Sequence, residues 1–103
     1  HSNKITQCIE EYLSFDKLLG KALHYADTHE GTLIIVTSDH ETGGLVLVDG
    51  DYKKGFVLGE FITNDHTGAP IPVYSYGVGA RDFTGFMQNS DIGKRIFKRL
   101  SAK

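Results

Sequence analysis

Disulfide chemistry, indole rings and membrane-length apolar runs are all missing from this chain. Its 103 residues include 1 cysteine, 1 methionine, 2 prolines and no tryptophan. The lone thiol of Cys8 cannot close an internal disulfide, so cysteine usage leaves the redox compartment open. On a helical stripe such a residue is expected to be a small buried apolar group. The longest apolar run, Leu33 to Val36, is far shorter than the roughly 20 residues that span a bilayer. Neither sign of charge prevails: 11 basic against 13 acidic side chains give a net charge of −2 and a pI of about 6.2. That balance gives no electrostatic case for nucleic acid or an acidic membrane surface. No signal peptide is visible, and because the chain begins with His1 rather than Met, upstream sequence is expected to be missing.

What is present is an ordinary globular mixture, with 40% hydrophobic and 23% charged residues. No repeat, linker or low-complexity tract interrupts it, so residues 1–103 read as a single folded unit with a modest core. Ile5, Ile9, Tyr12, Leu19, Ala22, Leu23 and Ala26 recur at helical spacing. Ser14 or Asp16 offers a cap for a second helix, with a break near Leu13, and Gly31 is a natural stop. Thr32 to Thr37 is a continuous β-branched run, the pattern of a strand buried on both faces, as in a parallel sheet covered by helices. Leu45–Val48 and Gly55–Ile62 are short strand candidates around the turn signal Asp49-Gly50-Asp51. Pro70 and Pro72 lead rigidly into Val73–Tyr76. A final helix begins at a cap on Asn89 or Ser90, with Ile92, Ile96, Phe97 and Leu100 as its buried stripe and Lys98 and Arg99 near its negative end. A helix feeding a buried strand, further short strands and a closing helix make the fold α/β.

Asp39 and His40 follow the buried strand immediately, at the strand end where α/β sheets bind ligands. Carboxylate and neutral imidazole are good zinc donors. Neighbours in a regular strand point to opposite faces, so both can serve one ion only if the chain bends, which Gly43 and Gly44 permit. The plainer alternative is a polar turn in which Asp39 caps local amides. His66, in the loop Asn64-Asp65-His66-Thr67-Gly68, is a second candidate, although a loop histidine is usually just solvated. His24 and His29 read as structural, His29 as a favourable charge at a helix C-terminus. His1 reads equally as a native residue or as the relic of a purification tag. The glycines of Gly77-Val78-Gly79 have the wrong spacing for a dinucleotide loop, and Arg81 reads as a surface residue.

Leu33-Ile34-Ile35-Val36-Thr37-Ser38-Asp39-His40-Glu41-Thr42-Gly43-Gly44-Leu45 resembles the signature of the bacterial alkaline phosphatases. The stretches Asp65-His66-Thr67-Gly68, Pro70 to Gly77 and Phe83-Thr84-Gly85-Phe86 resemble the later part of the same family, and His1-Ser2-Asn3 stands where its Asp-x-x-x-His motif ends. The resemblance covers essentially the whole chain and implies a C-terminal portion of a larger three-layer alkaline-phosphatase-like fold. It implies hydrolysis of phosphate monoesters through a phosphoserine. It implies two zinc ions, one held by Asp39 and His40 and the other by His1 and His66, and a magnesium ion held by residues outside the chain. It favours a native His1 and an extracytoplasmic or periplasmic location, and it allows a homodimer of the intact enzyme. No nucleic-acid or membrane partner is implied. Ser38 and Ser75 do not fit the nucleophile motif, and the nucleophilic serine and the phosphate-binding arginine have no counterpart here, so the chain alone is expected to be inactive. Two other readings stand beside it: a related phosphodiesterase, phosphomutase or sulfatase, and a non-catalytic metal-binding or interaction module.

Overall fold

A computed structural model describes residues 2–102. The elements are α1 (Ile5–Thr28), β1 (Leu33–Val36), β2 (Val46–Asp51), β3 (Phe56–Glu60), β4 (Tyr74–Gly77), a 3-10 turn at Ala80–Phe83 and α2 (Asn89–Ser101). The chain is α/β, with a helix leading into a strand and a helix closing the sequence. Its contacts fall into two units, one of His1–Lys17 with His40–Ile71 and the other of Leu18–Asp39 with Pro72–Lys103.

The first helix is continuous for 24 residues, so neither Ser14 nor Asp16 starts a new one. No proline falls within it, and its one internal glycine, Gly20, lowers helix propensity without breaking the ladder. It ends where polar groups recapture its last carbonyls. The Thr28 hydroxyl donates to the carbonyls of His24 and Tyr25 at 3.1 Å, and His29 Nδ1 donates to Tyr25 at 3.0 Å. Gly31, with φ at 82°, then turns the chain.

In the first unit β2 and β3 form an antiparallel hairpin, with a register shift between Leu47 and Asp49. The sequence places its turn at Asp49–Asp51, but these residues belong to β2 and the turn comes later, at residues 52–55. Asp51 explains the later turn: its Oδ1 accepts the amides of Lys53 and Lys54 at 2.9 and 3.2 Å, and Gly55 supplies a positive φ of 63°. Ile5 and Leu45 lie so close to Gly59 that an added Cβ would stand 2.8 and 3.1 Å from their methyls. Cys8 is exposed rather than buried, and it lines an open cleft of about 370 Å³ with Lys4, Gln7, Glu11, Thr42 and Phe61.

In the second unit β1 pairs antiparallel with β4, Leu33 opposite Gly77 and Val36 opposite Tyr74. The apolar run suggests a strand enclosed on both faces of a parallel sheet. Instead all four residues are half-buried, because among the described residues β1 has a single strand neighbour. The 3-10 turn packs on β1, β4 and α2 and carries Phe83 into the core. Helix α2 starts at Asn89, so its cap lies one residue before Asn89 and two before Ser90. Gln88 is its N-cap, in a reciprocal capping box with Asp91. The expected buried stripe on α2 is half-buried at Ile92 and opens to solvent further along, with Phe97 73% and Leu100 81% exposed. Arginines hold this helix in place: Arg99 meets the Asp82 carboxylate at 2.7 Å, and Arg95 donates to the Asp82 carbonyl. None of the described helices is long and apolar enough to cross a membrane.

Candidate metal centre

Beyond Val36 the chain leaves the strand but stays tethered. The Thr37 hydroxyl donates to the Pro72 carbonyl at 3.1 Å. Asp39 is fixed through its backbone: its carbonyl accepts from Asn89 Nδ2 at 2.9 Å, at the first residue of α2. Its Oδ1 accepts the Ser38 hydroxyl at 3.3 Å.

His40 opens the loop of the first unit. Its Nδ1 lies 3.0 Å from the Glu41 carbonyl and 3.3 Å from the Thr42 hydroxyl. A carbonyl can only accept, so Nδ1 is the donor here, and when the ring is neutral its lone pair sits on Nε2. This arrangement, with one ring nitrogen donating to the backbone, is how metal-ligating histidines are normally oriented.

Gly43 and Gly44 bring a second loop onto the first. Both have positive φ, 79° and 58°. The Gly43 amide donates to the Asp65 carbonyl at 2.9 Å, and its carbonyl accepts the amides of Ile62 and Thr63 at 2.9 and 3.2 Å. A Cβ at Gly43 would lie 2.5 Å from the Phe61 ring, so contact this close requires glycine. Asn3 adds a third strand of chain: its Nδ2 donates to the Thr63 carbonyl at 2.7 Å and to Asn64 Oδ1 at 3.0 Å. The Asp65 carboxylate accepts the His66 amide at 2.8 Å and so fixes the backbone that presents that ring.

These ties set His66 on His40. The two imidazoles stack with centroids 3.5 Å apart and planes inclined by 24°. Glu41 spans the same loops from the side. Its Oε1 accepts the Gly44 amide at 2.7 Å, and its Oε2 accepts the Thr67 amide at 3.1 Å together with the Thr67 hydroxyl. The Thr67 hydroxyl, aided by the amides of Gly44, Thr67 and Leu45, holds the Glu41 carboxyl below the ordinary carboxylate value against the opposing effect of burial.

Of the four residues singled out in the sequence, His40 and His66 meet. Asp39 immediately precedes His40, with its backbone anchored as described, and His1 lies outside the described residues. Among the described residues no group of three or more His, Cys, Asp or Glu side chains is arranged to hold a metal ion. His29 is occupied at the end of α1, bonded to Tyr25 and stacked on its ring at 3.8 Å. Sequence reading missed the work of Asn3, Glu41, Thr67 and Asn89. Glu41 alone left a trace, as a carboxylate three residues before a glycine amide in a tight loop.

The sequence profile of the family "Alkaline phosphatase" matches residues 1–58. Alkaline phosphatase 3 of Bacillus subtilis (strain 168) is 45% identical over 170 residues, covering 97% of this chain and 37% of the relative. An alignment of that length over a chain of 103 residues means that the relative has additional residues inside the matched stretch. The structure of alkaline phosphatase from the Antarctic bacterium TAB5 superposes with a TM-score of 0.85 at 38% identity, covering 96% of this chain and 30% of that one. A mutant of the TAB5 enzyme with Mg bound in its M3 site gives a TM-score of 0.85 at 36% identity, covering 96% of this chain and 31% of the mutant. The chain thus spans about a third of the length of the proteins it matches. With more than half of its residues inside the family profile, the chain belongs to the alkaline phosphatase family.

Proposed function

We propose that the chain is the C-terminal metal-binding part of a zinc-dependent alkaline phosphatase that hydrolyses phosphate monoesters through a phosphoserine. The observation that carries this reading is the stack of His66 on His40. A ring lone pair lies in the plane of its ring. Two stacked rings with centroids 3.5 Å apart and planes inclined by 24° do not aim at one point between them, so each imidazole suits an ion of its own. That separation resembles the spacing of about 3.5–4 Å between ions in two-metal phosphate-transferring sites. The donor chemistry fits zinc, because His40 is held as the Nε2 ligand by its bond to Glu41.

On this reading His40, with Asp39 before it in the chain, serves the ion at the nucleophile, and His66 with His1 serves the ion at the leaving oxygen. The bonds of Asn3 to Thr63 and Asn64, two residues beyond His1, support that second pairing. When bound, zinc supplies Lewis-acid stabilisation of charge and makes water a usable nucleophile near neutral pH. The residues of this chain supply two oriented imidazoles, a fixed tautomer at His40 and a carboxylate brace between the loops. The nucleophilic serine, the remaining ligands and the magnesium ligands belong to parts of the protein beyond these residues.

Zinc titration of the chain by calorimetry near neutral pH tests the proposal. Binding is expected to be weaker than the about 10–16 kcal/mol of complete structural zinc sites, because each ion finds only part of its ligands here. It should diminish in His40→Ala and in His66→Ala, and it should fall in acid, because each imidazole must be neutral to bind. No heat from the native chain, or heat unchanged in both variants, would reject the proposal.

A further inference from the structure

We infer that Glu41 is a positioning residue for the histidine pair, its carboxylate bridging the two loops and fixing the register in which His66 lies on His40. The functional part of this inference rests on the metal reading above; the geometric part does not.

The bridge is built from the residues next to the rings. Glu41 follows His40 directly, and Thr67 follows His66 directly. Three donors converge on one side chain: the Gly44 amide on Oε1, and the Thr67 amide and hydroxyl on Oε2. A carboxylate, with acceptor sites on both oxygens, can meet all three. The Glu41 carbonyl meanwhile accepts a hydrogen bond from His40 Nδ1. One residue therefore fixes the His40 ring through its backbone and the His66 loop through its side chain. The other ties between the loops use neither of the residues that directly follow the rings: Gly43 to Asp65, Ile62 and Thr63, and Asn3 to Thr63 and Asn64. Loss of the carboxylate should consequently leave the loops joined and the rings misaligned.

In Glu41→Gln the new amide group must turn its own N–H donors toward one of the existing donors. Thr67→Val removes the hydroxyl and keeps the amide, while Thr67→Ser keeps both. Two readouts on the isotope-labelled chain separate the possibilities. The first is the inter-ring NMR contact between His40 and His66 in zinc-free protein. The second is zinc affinity by calorimetry. Glu41→Gln and Thr67→Val are expected to lose the ring contact and to bind zinc about 10–100-fold more weakly, as other supporting residues around metal ligands do. Thr67→Ser should match the native chain in both. Native ring contacts and native affinity in Glu41→Gln would overturn the inference, as would loss of the ring contact with affinity unchanged. If Glu41→Gln loses its dispersed amide spectrum, the comparison of Thr67→Val with Thr67→Ser decides by the same criteria. If the native chain binds no zinc, the metal reading fails while the ring contacts still decide whether Glu41 positions the pair.

Discussion

Phe83 is the fully enclosed hydrophobic side chain among the described residues, with 2% of its surface exposed. It reaches that position because the 3-10 turn at Ala80–Phe83 is gripped on both sides. The Ser75 hydroxyl donates to the Ala80 carbonyl at 2.8 Å, and Arg99 holds Asp82. Truncating a buried phenylalanine costs about 3–5 kcal/mol, which is a large share of the stability of a small domain. Phe83→Ala is therefore expected to abolish or sharply lower the urea midpoint of the second unit, followed by chemical-shift dispersion of β1 and β4. An unchanged midpoint would mean that this side chain is not the anchor its burial suggests. At this scale candidate ligands can be picked out in the sequence, and the residues that support them cannot. Asp39, His40 and His66 stand out because few residue types can bind zinc. Glu41, Thr67 and Asn89 do not, because their roles depend on which distant atom lies within hydrogen-bond reach. Cys8 went astray for a related reason: helical spacing identifies a face, not what covers it.

Among the elements, the long helix, the strand ahead of Asp39 and the closing helix were legible because periodicity and apolar runs persist over many residues. The hairpin turn was not. Asp49-Gly50-Asp51 and the later stretch through Gly55 are both acceptable turn chemistry, and Asp51 settles the choice by capturing the amides of Lys53 and Lys54. The partner of β1 was also hidden, since an apolar run does not encode whether its neighbour is parallel. Helix α2 gives a pH prediction. The bond from Lys94, with that from the Gln88 amide, holds the Asp91 carboxyl below its ordinary value. A carboxyl lowered in the folded state stabilises above its unfolded value and ceases to do so as pH falls through the lowered one. Amide shifts over residues 89–101 should show the first turn of α2 loosening below about pH 4. Asp91→Asn should show the looser first turn already at neutral pH and lose the acid step, whereas a native-like step in that variant would assign it to another group.

For the molecule as a whole, the proportions matter more than any one contact. The chain covers 37% of the Bacillus relative and about 30% of the TAB5 enzyme, and many large apolar side chains meet solvent, among them Phe86 at 96% and Tyr52 at 90% exposure. Apolar surface on this scale ordinarily marks a face that other protein covers. On the proposed reading the rest of the phosphatase supplies that cover along with the nucleophile. The chain alone is therefore expected to release no measurable nitrophenol from p-nitrophenyl phosphate, with or without added zinc. Robust turnover would show that these residues contain a reaction centre of another kind. The two-stranded ribbon of β1 and β4 carries a last implication. An antiparallel partner engages only every other peptide group of a strand, so the outward-facing amides of Leu33–Val36 have no strand to protect them among the described residues. In deuterated buffer those protons should exchange at the earliest time points while their inward neighbours lag, and any polypeptide that docks beside β1 would announce itself by slowing them.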